Sequence, residues 1–255
     1  MSGAGWTIAV VLLAVASGLQ AAGATTTTAA AGLTAAVAAF GVWLLVEFRR
    51  QAADVVPLLR LAVGVALAAL LGADLAGPAS SLGSGFFVIA QVAWLLALRV
   101  PAPEVVLRDA APFPGSIKIM MAIPFLLWPV LAVFLLAPEM PQGQGAVAVG
   151  GASLALIGAT AVSRIGRVGP RSFGLVLGGV VLLGVGWTVE AADTPLFAFA
   201  GGPAVSLAAA LAGRLLLTAG LLAPDAPRIT EAALALAAEL APEPASDAGP
   251  PHTAG

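Results

Sequence analysis

Apolar residues in this chain fall into long uninterrupted blocks, with neither the alternation of a half-buried strand nor the single stripe of an amphipathic surface helix. Breaking the sequence at its polar and Gly/Pro punctuation leaves eight blocks. They run over about Trp6–Ala22, Ala29–Val46, Val56–Ala73, Leu82–Leu98, Ile117–Ala137, Ala146–Val162, Phe173–Ala191 and Pro203–Leu222. Each is close to the roughly 20 apolar residues that a helix needs to cross a bilayer. The pattern predicts an all-α protein: a polytopic membrane bundle of eight transmembrane helices.

Composition agrees with the pattern. Of the 255 residues 60% are apolar and only 9% charged, against about 25% charged in soluble domains. The few charges are unevenly placed. Arg49, Arg50 and Arg60 flank the second connection, Arg99, Arg108 and Lys118 the fourth, and Arg164, Arg167 and Arg171 the sixth. The alternate connections, 23–28, 74–81, 138–145 and 192–202, hold no Lys or Arg. Basic loops stay on the cytoplasmic side, so eight helices with both termini cytoplasmic satisfy every loop at once. The first block ends in small residues like a signal peptide but lacks a basic leader segment, so it is expected to stay as a helix. Residues 1–222 thus form the transmembrane domain. Residues 223–255 form a cytoplasmic tail: a short helix over Ile229–Leu240 with Thr230 as its N-cap, then a polar, Pro-rich, disordered run.

The inventory of side chains excludes several chemistries. There is no Cys and no Tyr, and the single His, His252, lies in the tail. No disulfide framework, thiolate nucleophile, metal cluster or Ser-His-Asp triad can be built. No phosphate-binding loop or nucleophile elbow occurs, so no cofactor and no metal are expected. The basic residues mark loops only and give no support to nucleic-acid binding.

Polar side chains inside the blocks are the remaining candidates, because such groups are expensive in lipid and need partners. The stretch Val65–Arg99 carries two of them, Asp74 at the end of the third block and Gln91 about mid-bilayer in the fourth. Asp74 is either a helix-end carboxylate facing water or one of an acid/base pair. Glu190, near the end of the seventh block at a similar height, is its natural company, with a solvated helix end as the plain alternative. Gln91 acts as a hydrogen-bonding tie between helices or orients a substrate or water. Arg214, deep in the eighth block, can snorkel, pair with Glu47, or hold an anionic headgroup. Trp6, Trp43 and Trp187 fall where interfacial belt residues are expected. Trp94 and Trp128 lie deeper, in the core or along a cavity wall. Gly174 and Gly178 form a G-x-x-x-G pair suited to close helix approach, and Pro124 and Pro129 should bend the fifth helix.

At the hairpin the sequence resembles the YhhN-like lysoplasmalogenase family of eight-helix membrane proteins. Gly72-Ala73-Asp74 stands where that family ends its third helix with Gly-Asp. The run from Gly83-Ser84-Gly85 through Phe87, Ala90 and Gln91 to Trp94 stands where the family has G-x-G-x-F-x-x-A-H-x-x-Y, with Gln91 in place of the His and Trp94 in place of the Tyr. Further on, Gly179-Val180-Val181-Leu182-Leu183 and Arg214-Leu215-Leu216 are similar to the family's G-A-L-L-F and Gln-Leu-Leu patterns, while Gly186-Trp187 replaces a Ser-Asp. The resemblance implies a bacterial inner (plasma) membrane protein acting on the vinyl-ether bond of a lysolipid and releasing an aldehyde. Asp74 carries over as one catalytic carboxylate; Glu190, one turn beyond Trp187, is the candidate for the second, with Gln91, Arg214 and Trp94 against the substrate. The competing expectation is a non-catalytic lipid- or ligand-binding, or structural, protein of the same fold. The expected partner in either case is a membrane lipid or lysolipid.

Overall fold

A computed structural model of the chain describes residues 3–23, 27–53, 55–76, 80–100, 114–136, 144–165, 167–192 and 201–223. The tail helix and the Pro-rich run expected after residue 223, and with them His252, lie outside the described residues. So do Arg108 and the acidic residues Glu104 and Asp109.

Among the described residues eight α-helices follow one another: α1 (Gly3–Ala21), α2 (Thr27–Gln51), α3 (Pro57–Ala76), α4 (Ser81–Arg99), α5 (Gly115–Leu136), α6 (Gln144–Ser163), α7 (Pro170–Ala191) and α8 (Gly202–Leu221). Seven are long and apolar enough to cross a membrane; in α6 the apolar stretch is the shorter Ala148–Ser163. The protein is therefore an all-α integral membrane protein. The ends of the helices are set by local chemistry. Ser80 caps α4, its Oγ accepting from the Gly83 amide at 2.9 Å. Pro170 opens α7, where a missing N–H costs nothing. Gly201 precedes α8 with φ +91°, a conformation that only glycine adopts without strain. α5 runs through both of its prolines without a break.

The helices close into a ring. In order around it come α1, α2, α3, α4, α6, α7 and α8, which returns to α1, while α5 stands outside and packs on α6. Sequential hairpins are antiparallel, so all the Arg- and Lys-bearing termini gather at one end, here the basic end; the other is the far end. Trp94, Phe40, Phe48, Leu44, Leu59, Ile157, Leu211 and Leu217 fill the interior and are essentially without solvent contact.

The α7–α8 seam is the closest in the ring. A Cβ added to Gly179 would lie 2.7 Å from the Leu217 amide nitrogen, and one on Gly213 would lie 2.8 Å from the Gly179 carbonyl oxygen. Gly186 and Gly220 are equally confined, at 2.9 Å from the Ser206 carbonyl oxygen and 2.8 Å from the Val176 amide nitrogen. The glycines of this seam are therefore Gly179/Gly186 facing Gly213/Gly220, each pair seven residues apart. Two hydroxyls tie the same seam, Ser172 Oγ donating to the Gly220 carbonyl at 2.7 Å and Ser206 Oγ to that of Gly186 at 2.9 Å. The expected G-x-x-x-G pair does not make it: Gly174 meets nothing within 4 Å, and Gly178 meets only Leu216 Cδ1 at 3.6 Å. A seven-residue spacing is nearly two full turns and keeps both glycines on one face.

Candidate functional site

Asp74 and Arg214 form the charged centre of the ring. Arg214 Nη1 donates to Asp74 Oδ2 at 2.5 Å and Nη2 to Oδ1 at 3.1 Å, a fork-to-fork pair. The two side chains are only 18% and 14% exposed respectively. α3 and α8 are not neighbours in the ring, so the bond crosses its interior. Side-chain direction explains how the two meet. A Cα–Cβ bond leans toward its helix N-terminus. For α8 that is the far end, so Arg214 reaches away from the basic end; for α3 it is the basic end, so Asp74 leans inward from the last turn. Of the three roles open to Arg214, pairing is the one observed, but with Asp74 rather than Glu47. Glu47 is taken locally, accepting from Gln51 Nε2 and lying 3.6 Å from Arg50 Nη1.

Glu190 shares this charge. It ends α7 on the face turned to α8, and the Arg214 guanidinium is close enough to attract its carboxylate. It is exposed, and among the described residues no hydrogen bond or ion pair engages it. Arg214 thus holds Asp74 with both prongs, and Glu190 lies within its electrostatic reach with no hydrogen bond of its own among the described residues.

The remaining candidates are placed differently. Gln91 is 9% exposed and its Oε1 has no hydrogen-bond partner. Ten residues into α4, it lies about 15 Å from the helix start at 1.5 Å per residue, well below Asp74. Trp94 is 1% exposed and packed in the core. Trp128, also a candidate cavity residue, faces outward and donates its indole N–H to Thr188 Oγ1 at 2.8 Å. It lines an apolar groove of about 250 Å³ with Pro124, Phe125, Pro129 and Val181, on the face of α7 away from Glu190. Trp187, expected in the interfacial belt, has its indole seated over Gly150 and Gly151 of α6.

Arg164 is the residue that the loop pattern hid, since there it is one of three loop arginines. It follows α6 directly and is 3% exposed, and its Nη1 donates to the Leu98 carbonyl at 3.0 Å. That carbonyl lies in the last turn of α4, where partial negative charge gathers. Among the described residues Nε and Nη2 have no hydrogen-bond partner. Burial without a counter-charge pulls its pKa down to about 10.

The chain matches no known family model, no curated protein and no solved structure. Among the described residues no group of His, Cys, Asp and Glu could hold a metal ion.

Proposed function

We propose that this protein binds the headgroup of a membrane lysolipid at the Asp74–Arg214–Glu190 cluster, in a bundle that crosses the bilayer eight times with both termini cytoplasmic. The basic end then faces the cytoplasm and the cluster opens toward the other leaflet. In the lineage suggested by the Asp74 hairpin, that membrane is the bacterial inner membrane. The observation that carries the reading is the bidentate Asp74–Arg214 bond. Both carboxylate oxygens of Asp74 are taken as acceptors by the two prongs of the guanidinium, which leaves neither free to deliver a proton to a substrate. Cleavage of a vinyl ether begins with a proton delivered to the alkene carbon, so Asp74 does not start that reaction. The cluster suits binding: the unused N–H groups of Arg214 take a phosphate, and the open Glu190 carboxylate takes an ammonium, as a zwitterionic headgroup presents them.

The hydrolytic reading keeps one supporting observation, the free carboxylate of Glu190 beside Arg214. In it Glu190 delivers the proton and Asp74 stabilises the cation that forms. One experiment separates the two. Purified protein is mixed with lysoplasmalogen, and bound lipid and released aldehyde are both measured. Saturable binding without aldehyde, weakened in Glu190→Gln, is the expected result. Aldehyde release by wild type that disappears in Glu190→Gln overturns it in favour of hydrolysis.

A further inference from the structure

The buried arginine at the basic end is not used by this cluster, and its geometry is specific. A guanidinium presents five N–H groups in a rigid planar fork. In Arg164 Nη1 is spent on the Leu98 carbonyl, while among the described residues Nε and Nη2 have no hydrogen-bond partner and no measurable contact with solvent. Nε–H and Nη2–H lie side by side along one edge and point the same way. That edge matches the spacing of two oxygens on one phosphate or carboxylate. Leaving two charged donors unsatisfied at 3% exposure is among the costlier arrangements that a protein can hold.

The charge around it names the missing group. The connections at the basic end hold Arg49, Arg50, Arg60, Arg99, Arg108, Lys118, Arg164, Arg167 and Arg171 against Glu47, Asp54, Glu104 and Asp109, and Gln51 and Arg50 already engage Glu47. The Arg167 amide donates to the Arg164 carbonyl at 2.8 Å, which ties the backbone of the exposed Arg167 to that of Arg164. The exposed Arg99 directly follows Leu98, whose carbonyl Arg164 grips. A buried, unpaired guanidinium edge with two exposed arginines beside it along the chain is suited to an oxyanion.

We infer that Arg164 is the anchor of a phosphate-binding site at the basic end, between the ends of α4 and α6, for a phosphate carried by a lipid headgroup or free in solution. With the basic end at the cytoplasmic surface, anionic headgroups are at hand, and basic pockets between helices on that side are where they bind. Small movements of the covering side chains admit the phosphate, which then supplies the two acceptors that the chain lacks. The site is separate from the Asp74 cluster and does not depend on what that cluster does.

The test uses the full chain, freed of lipid in detergent, with two probes: phosphatidylglycerol followed by native mass spectrometry, and inorganic phosphate followed by calorimetry. One phosphatidylglycerol is expected to bind saturably. Arg164→Gln should weaken it about tenfold or more, the loss of a bidentate pair, while Arg171→Gln changes it less than about threefold. Binding of inorganic phosphate with the same Arg164 dependence assigns the site to free phosphate as well; binding of the lipid alone assigns it to headgroups. Arg164→Lys keeps the charge and can still reach the Leu98 carbonyl but lacks the paired edge. If Arg164→Gln fails to fold, a folded Arg164→Lys with about tenfold weaker binding supports the site. Wild-type affinity in either folded variant, equal losses in Arg164→Gln and Arg171→Gln, or no saturable binding overturns it. So does a Glu104→Gln/Asp109→Asn variant that matches Arg164→Gln in both melting and binding, because it identifies those carboxylates as the partner.

Discussion

Arg214 and Arg164 are both largely withdrawn from water, and each points at a different end of the ring. Arg214 meets Asp74 with both prongs. Arg164 meets one carbonyl and leaves the rest of its fork unused. The first is an internal tie, complete within the chain; the second is a donor waiting for an acceptor. Depth does not explain the difference, for the paired arginine is the more exposed of the two. It lies in what each helix end brings across. α3 carries a carboxylate into the ring opposite α8, whereas among the described residues the ends of α4 and α6 bring arginines and carbonyls together.

Breaking the complete tie should have the largest effect. Arg214→Gln leaves the Asp74 charge inside the ring without its partner and is expected to cost about 3 kcal/mol, read as a fall in melting temperature in detergent. Adding Asp74→Asn should restore much of that loss, so the pair shows strong coupling in a double-mutant cycle; simple additivity would mean that the bond contributes little. Gly213→Val comes next, at about 2 kcal/mol, because its side chain meets the Gly179 carbonyl across the seam that holds α8 in place. Gly174→Ala, open on all sides, is the neutral control.

Arg164→Gln should cost about 1 kcal/mol or less in lipid-free protein, since it removes one hydrogen bond together with an unpaired buried charge. Its pH signature has a definite sign. The folded pKa of about 10 lies below an arginine's ordinary value, so in that window the unfolded chain binds more protons and stability rises with pH. Below the window both states are protonated and the burial penalty is present in full. With no Tyr, no Cys and a single Lys in the chain, little else titrates there. Wild type should therefore gain stability above pH 10 and Arg164→Gln should not; equal slopes would mean that Arg164 is not the group responsible. The smallest effect belongs to Glu190→Gln, within about 0.5 kcal/mol for an exposed carboxylate, while its effect on headgroup binding is large. A drop in stability as great as that of Arg214→Gln would show Glu190 to be part of the tie.

The apolar blocks alone determined the class of the protein and the number of helices, because a bilayer-length run has one economical conformation in lipid. Helix ends followed within a few residues, α3 reaching Ala76 and so taking Asp74 into its last turn. Asp74, Glu190 and Arg214 were legible as singular residues, since a charge in an apolar run stands out whatever surrounds it. What the sequence could not supply was pairing. Asp74 and Arg214 are 140 positions apart, and only the closure of α8 onto α1 brings their helices around one interior. The same closure decides which glycines face each other and turns Trp187 onto Gly150 and Gly151. It also buries Arg164, which as a string of letters is indistinguishable from its exposed neighbours Arg167 and Arg171. Composition fixes the energy of putting each residue in lipid; the arrangement of helices decides which residue meets which, and partner choice depends on distances that no local pattern encodes.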